Sequence, residues 1–331
     1  MNTDVDKPRA SVIVEWENAL HAEADRATGM LRELRSQMDA MAAAVALLDA
    51  APLFELIVVY DEAEVAGDAL ARSIEAGVGP CDATLSWRLL PIRDGSYYRN
   101  KDLGARSAVS DVLVFLDSDV VPEPGWLERL LGSLDDPAVR IVAGSAYIEP
   151  SGLVGKAFAL TWFFPLRSAD GPLRQVTQFF ANNLAERREF YLEHPFPDLK
   201  GTSRGACLVL ARAFARAGIA VYQQPCARVR HPAPNGFGHI SRRALAQGRD
   251  RLYRERNFGT RGAASWLAAC WRWVRHVGGS TIRVLRDYRK VGLNPLLVPA
   301  AIAVAGYYYT LYWLGETLTH LRVPAIQHIR I

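Results

Sequence analysis

Short apolar runs broken by polar turns recur along the first two thirds of the chain. Ser11–Trp16 predicts a first strand. From Asn18 to Leu48 apolar residues return at helical spacing among Ala, Leu, Met, Arg and Glu, which predicts a helix that Pro52 ends. Leu53–Tyr60 reads as a second strand, Ala63–Ala76 as a helix stopped by Gly77 and Gly79-Pro80, Thr84–Leu90 as a third strand, and Lys101–Ser110 as a helix. Val112–Leu116 is too short for a helix and too apolar for a half-exposed strand, so it predicts a buried strand of a parallel sheet. Pro124–Leu134 then reads as a helix with Pro124 at its first position, and Val139–Tyr147 as a strand. A helix is expected from near Ala185, another over Cys207–Ala217 closed by Gly218, and short strands at Ile219–Gln223 and Ala227–Arg230. Alternating strands and helices imply a doubly wound α/β sheet with helices on both faces.

The pattern changes after about residue 240. Arg242–Arg256 predicts a basic helix, and Ala263–Tyr288 one or two more, carrying Trp266, Trp271 and Trp273. An amphipathic, aromatic and positive helix suits a membrane interface; a solvated basic face packed on a core gives the same pattern. Val291–Gly315 holds no charged residue and ends in Tyr307–Tyr309, Tyr312 and Trp313, long enough to cross a bilayer with an aromatic belt at one end. Pro295, Pro299 and Gly306 suit an in-plane or buried helix equally well. Lys156–Pro165, apolar and aromatic, is either core or an exposed groove. The expected organisation is a tail over 1–9, an α/β domain over 10–240, a basic helical region over 241–290 and an apolar membrane-associated or transmembrane segment over 291–320.

Charge sharpens this division. The net charge of the 331 residues is +4, yet Arg228–Lys290 carries 15 Arg and Lys against three acids. Such a block implies an anionic partner. It borders the most apolar segment, so a membrane surface fits better than nucleic acid. Arg283, Arg286, Arg289 and Lys290 would hold that flank at the cytoplasmic face. Met1–Pro8 shows no apolar signal region, which also predicts a cytoplasmic location. The four cysteines have no metal-binding spacing, so a zinc site or disulfide framework is not expected.

Chemistry concentrates where Val112–Leu116 runs into Asp117-Ser118-Asp119. Ligands of open α/β sheets sit at the carboxyl ends of strands. Two carboxylates so close repel unless a cation lies between them, and Mg²⁺ or Mn²⁺ with oxygen ligands suits that place. A second such triplet, Asp4-Val5-Asp6, lacks a preceding strand and is given no function. No G-x-G-x-x-G follows the first strand and no G-x-x-x-x-G-K-[ST] occurs, which disfavours a dinucleotide fold or a P-loop. A nucleotide would instead be held through metal and carboxylates.

These pieces, in this order, resemble a family-2 glycosyltransferase of the GT-A fold. Ser11-Val12-Ile13-Val14 with Asn18 resembles the family's opening strand, although Glu15-Trp16-Glu17 replaces Pro-Thr-Tyr. Glu55–Asp61 resembles the strand whose Asp-Asp ending meets the nucleobase, with Tyr60 in place of one aspartate. Arg99–Arg106 resembles the helix start before the metal motif. Phe115–Asp119 with Pro122 and Pro124-Gly125-Trp126 matches most closely. Ala181–Arg188 resembles the acceptor-side segment and Pro225–His231 the last strand. The resemblance covers about residues 10–240. It implies an inverting transferase that moves a sugar from a nucleotide-diphosphate sugar to a glycan or lipid-linked acceptor at the cytoplasmic membrane face. It implies Asp119 and His231 as metal ligands and Asp117 on ribose or metal, with a strand-end His231 bonded to backbone as the alternative. Asp61 or Glu17 would accept from the base, or else cap the following helix. Lys101 or Arg99 would add positive charge at the phosphates, and a solvated helix start explains them equally well.

One departure concerns the acceptor. Where the family carries Gly-Glu-Asp, whose acid deprotonates the acceptor hydroxyl, this chain has Gly205-Ala206-Cys207. The nearest replacements are Glu193 and Asp198, and Asp198 is the candidate base; an ordinary loop residue is the alternative. A phosphate acceptor needs no base. A non-catalytic nucleotide-sugar binder fits the empty slot as well. A nucleotidyltransferase is the other alternative, without its usual Gly-rich first loop.

Overall fold

A computed structural model describes residues 7–21, 24–44, 52–199, 202, 204–234, 236–258 and 266–329. The triplet Asp4-Val5-Asp6, the end of the helix expected to Leu48 and the start of the one expected at Ala263 lie outside the described residues. In chain order the elements are β1 (Ala10–Glu15), α1 (Ala24–Ala43), β2 (Phe54–Asp61), α2 (Gly67–Val78), β3 (Leu85–Ile92), α3 (Tyr97–Ser107), β4 (Val112–Asp117), β5 (Val121–Pro122), α4 (Trp126–Gly132), β6 (Ile141–Ile148), α5 (Gly152–Thr161), β7 (Arg174–Val176), β8 (Asn183–Arg187), α6 (Arg188–Glu193), α7 (Ala206–Ala217), β9 (Val221–His231), α8 (Gly236–Phe258), α9 (Trp266–Asp287) and α10 (Val298–His320). Short 3₁₀ turns occupy Asn18–His21, Tyr288–Val291, Pro295–Leu297 and Pro324–His328.

The chain divides into two units: Met1–Ala146 with Ser168–Asp198 and Leu210–Arg230, and Tyr147–Arg167 with Leu199–Val209 and His231–Ile331. The first holds the sheet, ordered β3-β2-β1-β4-β8-β6-β9-β5, with β7 on β9. β1 pairs in parallel with β2 and β4, and β2 with β3; β8 runs antiparallel to β4 and β6. Every residue of β1, and all of β2 except Asp61, is buried, as strands covered on both faces must be. The sheet is therefore mixed, with a parallel half built by the predicted β-α-β alternation.

Glycine sets how close α3 comes to the sheet. A Cβ on Gly104 would lie 2.5 Å from Ile13 Cγ2, so only glycine lets this helix sit against β1. The buried positions of α3 are Tyr97, Asn100, Lys101, Gly104 and Ala105, one face at helical spacing. The helix begins four residues before the expected Lys101.

Three other expectations change. Ala185 starts no helix: Asn183–Arg187 is the strand β8 between β4 and β6, and the helix follows at Arg188. The two short strands are one, β9, which continues through Pro225. Pro124 does not open α4; Gly125 precedes it at φ 73°, and Trp126 starts the helix.

The second unit is helical. α8 and α10 run side by side: Phe237 packs on Tyr307, with ring centroids 5.9 Å apart, and Arg256 lies 3.4 Å from His320. Between these ends a Cβ on Gly248 would lie 2.0 Å from Tyr312 O, and one on Gly315 2.1 Å from Leu245 O. Glycine on both helices permits this approach. Glu316 of α10 is fully buried and pairs with Arg251 of α8 at 3.1 Å and with Arg272 of α9. The expected charge-free segment thus becomes a bundle helix whose last third carries a buried carboxylate. By length and composition Pro295–His320 suffices to cross a membrane, with 28% of its most apolar window buried in the protein.

Candidate active site

The carboxyl ends of β1, β2 and β4 lie side by side. Register pairs Glu15 of β1 with Asp117 of β4, so two carboxylates stand next to each other at the sheet edge. Glu15 is fully buried and Asp117 is 4% exposed. Buried like charges survive only with compensation, and three side chains supply it. Lys101 Nζ lies 2.8 Å from Asp117 Oδ1, Tyr97 donates its hydroxyl to the same oxygen at 2.7 Å, and Asn18 Nδ2 donates to Asp117 Oδ2 at 3.0 Å. Asn18 Nδ2 also reaches Glu15 Oε1 at 2.8 Å and so bridges the pair. Lys101 sits over the Tyr97 ring at 4.7 Å.

Lys101 is wholly buried on the inward face of α3 and is the counter-charge of Asp117. Asp117 in turn has both oxygens engaged by protein groups. Sequence reasoning missed Glu15, Asn18 and Tyr97 as members of this cluster. Tyr97, Lys101 and Gly104 share a helical period, so the signal existed once the helix start was placed correctly.

Asp119 follows on the turn after β4 and is 6% exposed. Its position is fixed through the backbone: Arg26 of α1 donates from Nε to Asp119 O at 2.7 Å and from Nη2 to Arg230 O at 2.9 Å. Ser118 Oγ accepts from Ala19 N at 2.9 Å. The Asp-Ser-Asp turn is thereby tied to β9, α1 and the segment after β1. Arg26 carried no signal in the sequence beyond its place on a helix.

Asp61 ends β2, half-buried. Its Oδ1 accepts from Ala63 N at 2.9 Å and its Oδ2 from Gly95 N at 3.0 Å, so it holds the loop that leads into α3. Tyr60, which stands where the family has an aspartate, is buried; a Cβ on Gly67 would lie 2.5 Å from its hydroxyl. Glu17 is half-buried in the turn after β1. Arg99 Nη1 donates to Asp94 O at 3.2 Å. Asp198 and Glu193 are both exposed, Asp198 in the loop after α6. Ala206 and Cys207, in the slot for the acceptor base, are buried at the start of α7.

His231 ends β9 in the second unit. Its Nδ1 donates to Pro232 O at 2.7 Å, and its ring packs 5.1 Å from Phe164 and 5.8 Å from Trp162. Among the described residues no group of three or more His, Cys, Asp or Glu side chains lies together as a metal-ligand set. Asp117, of the expected ligands, has Lys101, Tyr97 and Asn18 on its carboxylate. The carboxylates present do suit Mg²⁺ or Mn²⁺ of another kind, an ion held by one or two carboxylates and otherwise by substrate phosphates.

An α/β sheet with acidic strand ends and an Asp-x-Asp turn at its centre defines the GT-A class of glycosyltransferase. The family described as "Glycosyl transferase family 2" matches residues 31–194, about half of the chain, and the chain belongs to this family. Among solved structures, the mannosyltransferase PcManGT from Pyrobaculum calidifontis, in complex with GDP-Man and Mn²⁺, is similar in fold. The TM-score is 0.53 at 19% identity, over 95% of this chain and 87% of that one. S. aureus TarS 1–349 aligns over 95% of this chain and 91% of its own, with 14% identity and a TM-score of 0.48. A pre-mycofactocin glycosyltransferase of Mycobacterium tuberculosis is 49% identical over 43 residues, 13% of this chain; the match spans only 9% of that curated relative's length.

Proposed function

We propose that this glycosyltransferase uses a nucleotide-diphosphate sugar, with Mg²⁺ or Mn²⁺ bound, and transfers the sugar with inversion to a lipid-linked or polysaccharide acceptor at the cytoplasmic face of a membrane. The Asp117-Ser118-Asp119 turn at the carboxyl end of β4 carries the reading. It presents one carboxylate, Asp119, on a backbone pinned by Arg26, while its neighbour Asp117 is fixed by Lys101. Preorganised groups stabilise developing charge without moving during the reaction. The bound ion would be held by Asp119 and would neutralise the diphosphate leaving group. Lys101 and Tyr97 keep Asp117 oriented for the ribose beside that ion. Asp61 at the end of β2 or Glu17 in the turn after β1 would accept from an imino N–H of the base.

The acceptor half lacks the usual acid. Buried Ala206 and Cys207 offer no base. This favours an acceptor already anionic, such as a lipid phosphate, over a hydroxyl deprotonated by the exposed Asp198. A membrane location draws support from the basic block and the apolar α10. α8 lies along the length of α10 and carries Arg242, Arg243, Arg249, Asp250, Arg251 and Arg254, charges too costly to draw into hydrocarbon. The pair is therefore ill suited to cross a bilayer.

A ligand that binds only the folded state raises apparent stability, so a thermal-shift panel of nucleotide sugars with and without Mn²⁺ tests the donor site. The reading expects one donor class to stabilise the wild type in the presence of Mn²⁺ and Asp119→Ala to lose that response. Stabilisation that ignores both Mn²⁺ and Asp119 would defeat it. Product anomeric configuration by NMR tests inversion, and near-normal turnover in Asp198→Asn removes the base role of that residue. A donor that binds yet is never turned over with any membrane extract makes the chain a nucleotide-sugar binder.

A further inference from the structure

The helix α9 is turned inside out relative to an ordinary surface helix. Its buried positions are Ala269, Ser280, Val284 and Asp287, while Leu267, Trp271, Val274, Ile282 and Leu285 are 74%, 63%, 49%, 62% and 56% exposed. With the exposed Gly278 they recur every three or four residues, a single stripe about 27 Å long at the rise of an α-helix. A surface helix of a soluble protein points its apolar stripe inward. A contiguous apolar stripe facing out marks a surface that something covers.

The surroundings say what covers it. Arg275, Arg286, Arg289 and Lys290 are exposed on this helix or in the turn after it. The one acid of α9, Asp287, is 5% exposed and is taken up by Arg286 and Lys290 at 2.8 Å each. The flanks are positive with no exposed acid among them, which complements an anionic surface. At the N-terminal end Trp266, Trp271, Trp273 and Trp313 line an apolar groove between α9 and α10. Trp273 places its one polar atom on Thr310 Oγ1 at 3.1 Å, so that ring faces apolar surroundings at no hydrogen-bonding cost.

We propose that the exposed stripe of α9 is the membrane-docking surface of this protein: the helix lies flat in the interface of an anionic bilayer, with the tryptophan groove receiving an acyl chain. α10, which composition marks as the membrane element, instead stays behind α9 as the bundle helix that supports it. The inference deepens the reading of the chain as an enzyme of a membrane face, and its test needs none of the chemistry.

The experiment is co-sedimentation of the full chain with vesicles of phosphatidylglycerol or of phosphatidylcholine, with tryptophan emission recorded in parallel. The expected result is binding to phosphatidylglycerol vesicles that weakens at high salt, with a blue shift that Trp271→Phe reduces. Leu267→Glu with Ile282→Glu should weaken vesicle binding at least tenfold while the near-UV spectrum and donor-induced thermal shift are retained. If that pair fails to fold, Ile282→Ser with Leu285→Ser, placed on the same stripe, should weaken binding in the same direction. Wild-type binding in a folded variant overturns the proposal. So does a concentration-dependent dimer that the substitutions dissociate while vesicle binding stays unchanged, since a second copy then covers the face. Loss of the donor response with vesicle binding intact defeats the enzymatic reading alone and leaves the docking surface standing.

Discussion

Lys101 shows how a charged side chain becomes part of a core. It occupies an inward position of α3, and its ammonium is neutralised within 2.8 Å by Asp117. Removing one member of a buried pair leaves the other uncompensated, at a cost of about 3–5 kcal/mol. Lys101→Met should therefore destabilise the fold by that order in urea unfolding. Adding Asp117→Asn should recover part of the loss, because the stranded charge is then gone. A neutral effect of Lys101→Met would place the lysine outside the site. Glu186 is another buried carboxyl, and burial alone holds its pKa well above 4.5. The unfolded chain ionises it near 4.5, so its contribution is complete below that pH and declines as pH rises toward the folded value. Glu186→Gln should flatten this decline, read as the difference in urea midpoint between variant and wild type at pH 4.5 and at pH 8. A parallel pH dependence in both proteins would contradict it. Asp119, Asp61 and His231 were legible as strand-end residues. Glu15, Asn18 and Tyr97 were not, because their role comes from pairing across β1, β4 and α3.

At the scale of elements, β1, β2 and β4 were legible because strands covered on both faces are mostly apolar. β8 was not. Ala185-Glu186-Arg187-Arg188-Glu189 is good helix sequence, yet its first part is a strand flanked by β4 and β6. Partner strands on both sides outweigh propensity. Pro225 suggested a break in β9, but a proline removes only one ladder hydrogen bond, and Ser168 Oγ donates to its carbonyl at 3.0 Å. The two-residue β5 and three-residue β7 are too short to leave a pattern. The contact of α8 with α10 has a specific weak point. Gly248→Leu or Gly315→Leu places a side chain where backbone atoms stand about 2 Å from the added Cβ. Overpacking costs about 1–3 kcal/mol even where side chains can give way, and backbone yields less. Either variant should lower the melting temperature by several degrees and speed proteolysis within α8–α10. An unchanged melting temperature would show that these helices do not pack so closely.

For the whole molecule, composition changes near residue 240, whereas the compact units follow other boundaries. Tyr147–Arg167 and Leu199–Val209 join the helical unit from within the α/β sequence, and no local pattern marks long-range contacts of that kind. The charge-free run before Glu316 read as a membrane-associated or spanning segment, with an in-plane or buried helix fitting as well; the residues that enlist it into a bundle, Arg251 and Arg272, are more than 40 positions away. The fold and the family are those of a glycosyltransferase, and the central claim is that Asp119 at the end of β4 serves sugar transfer. It is tested most directly by following sugar transfer from a nucleotide sugar into a membrane extract by mass spectrometry, with wild type and Asp119→Ala compared at equal folded concentration. The account predicts transfer by the wild type that depends on Mg²⁺ or Mn²⁺ and falls at least a hundredfold in Asp119→Ala, on the order of the 2.7 kcal/mol that such a ratio represents. Equal transfer by the two proteins would contradict it.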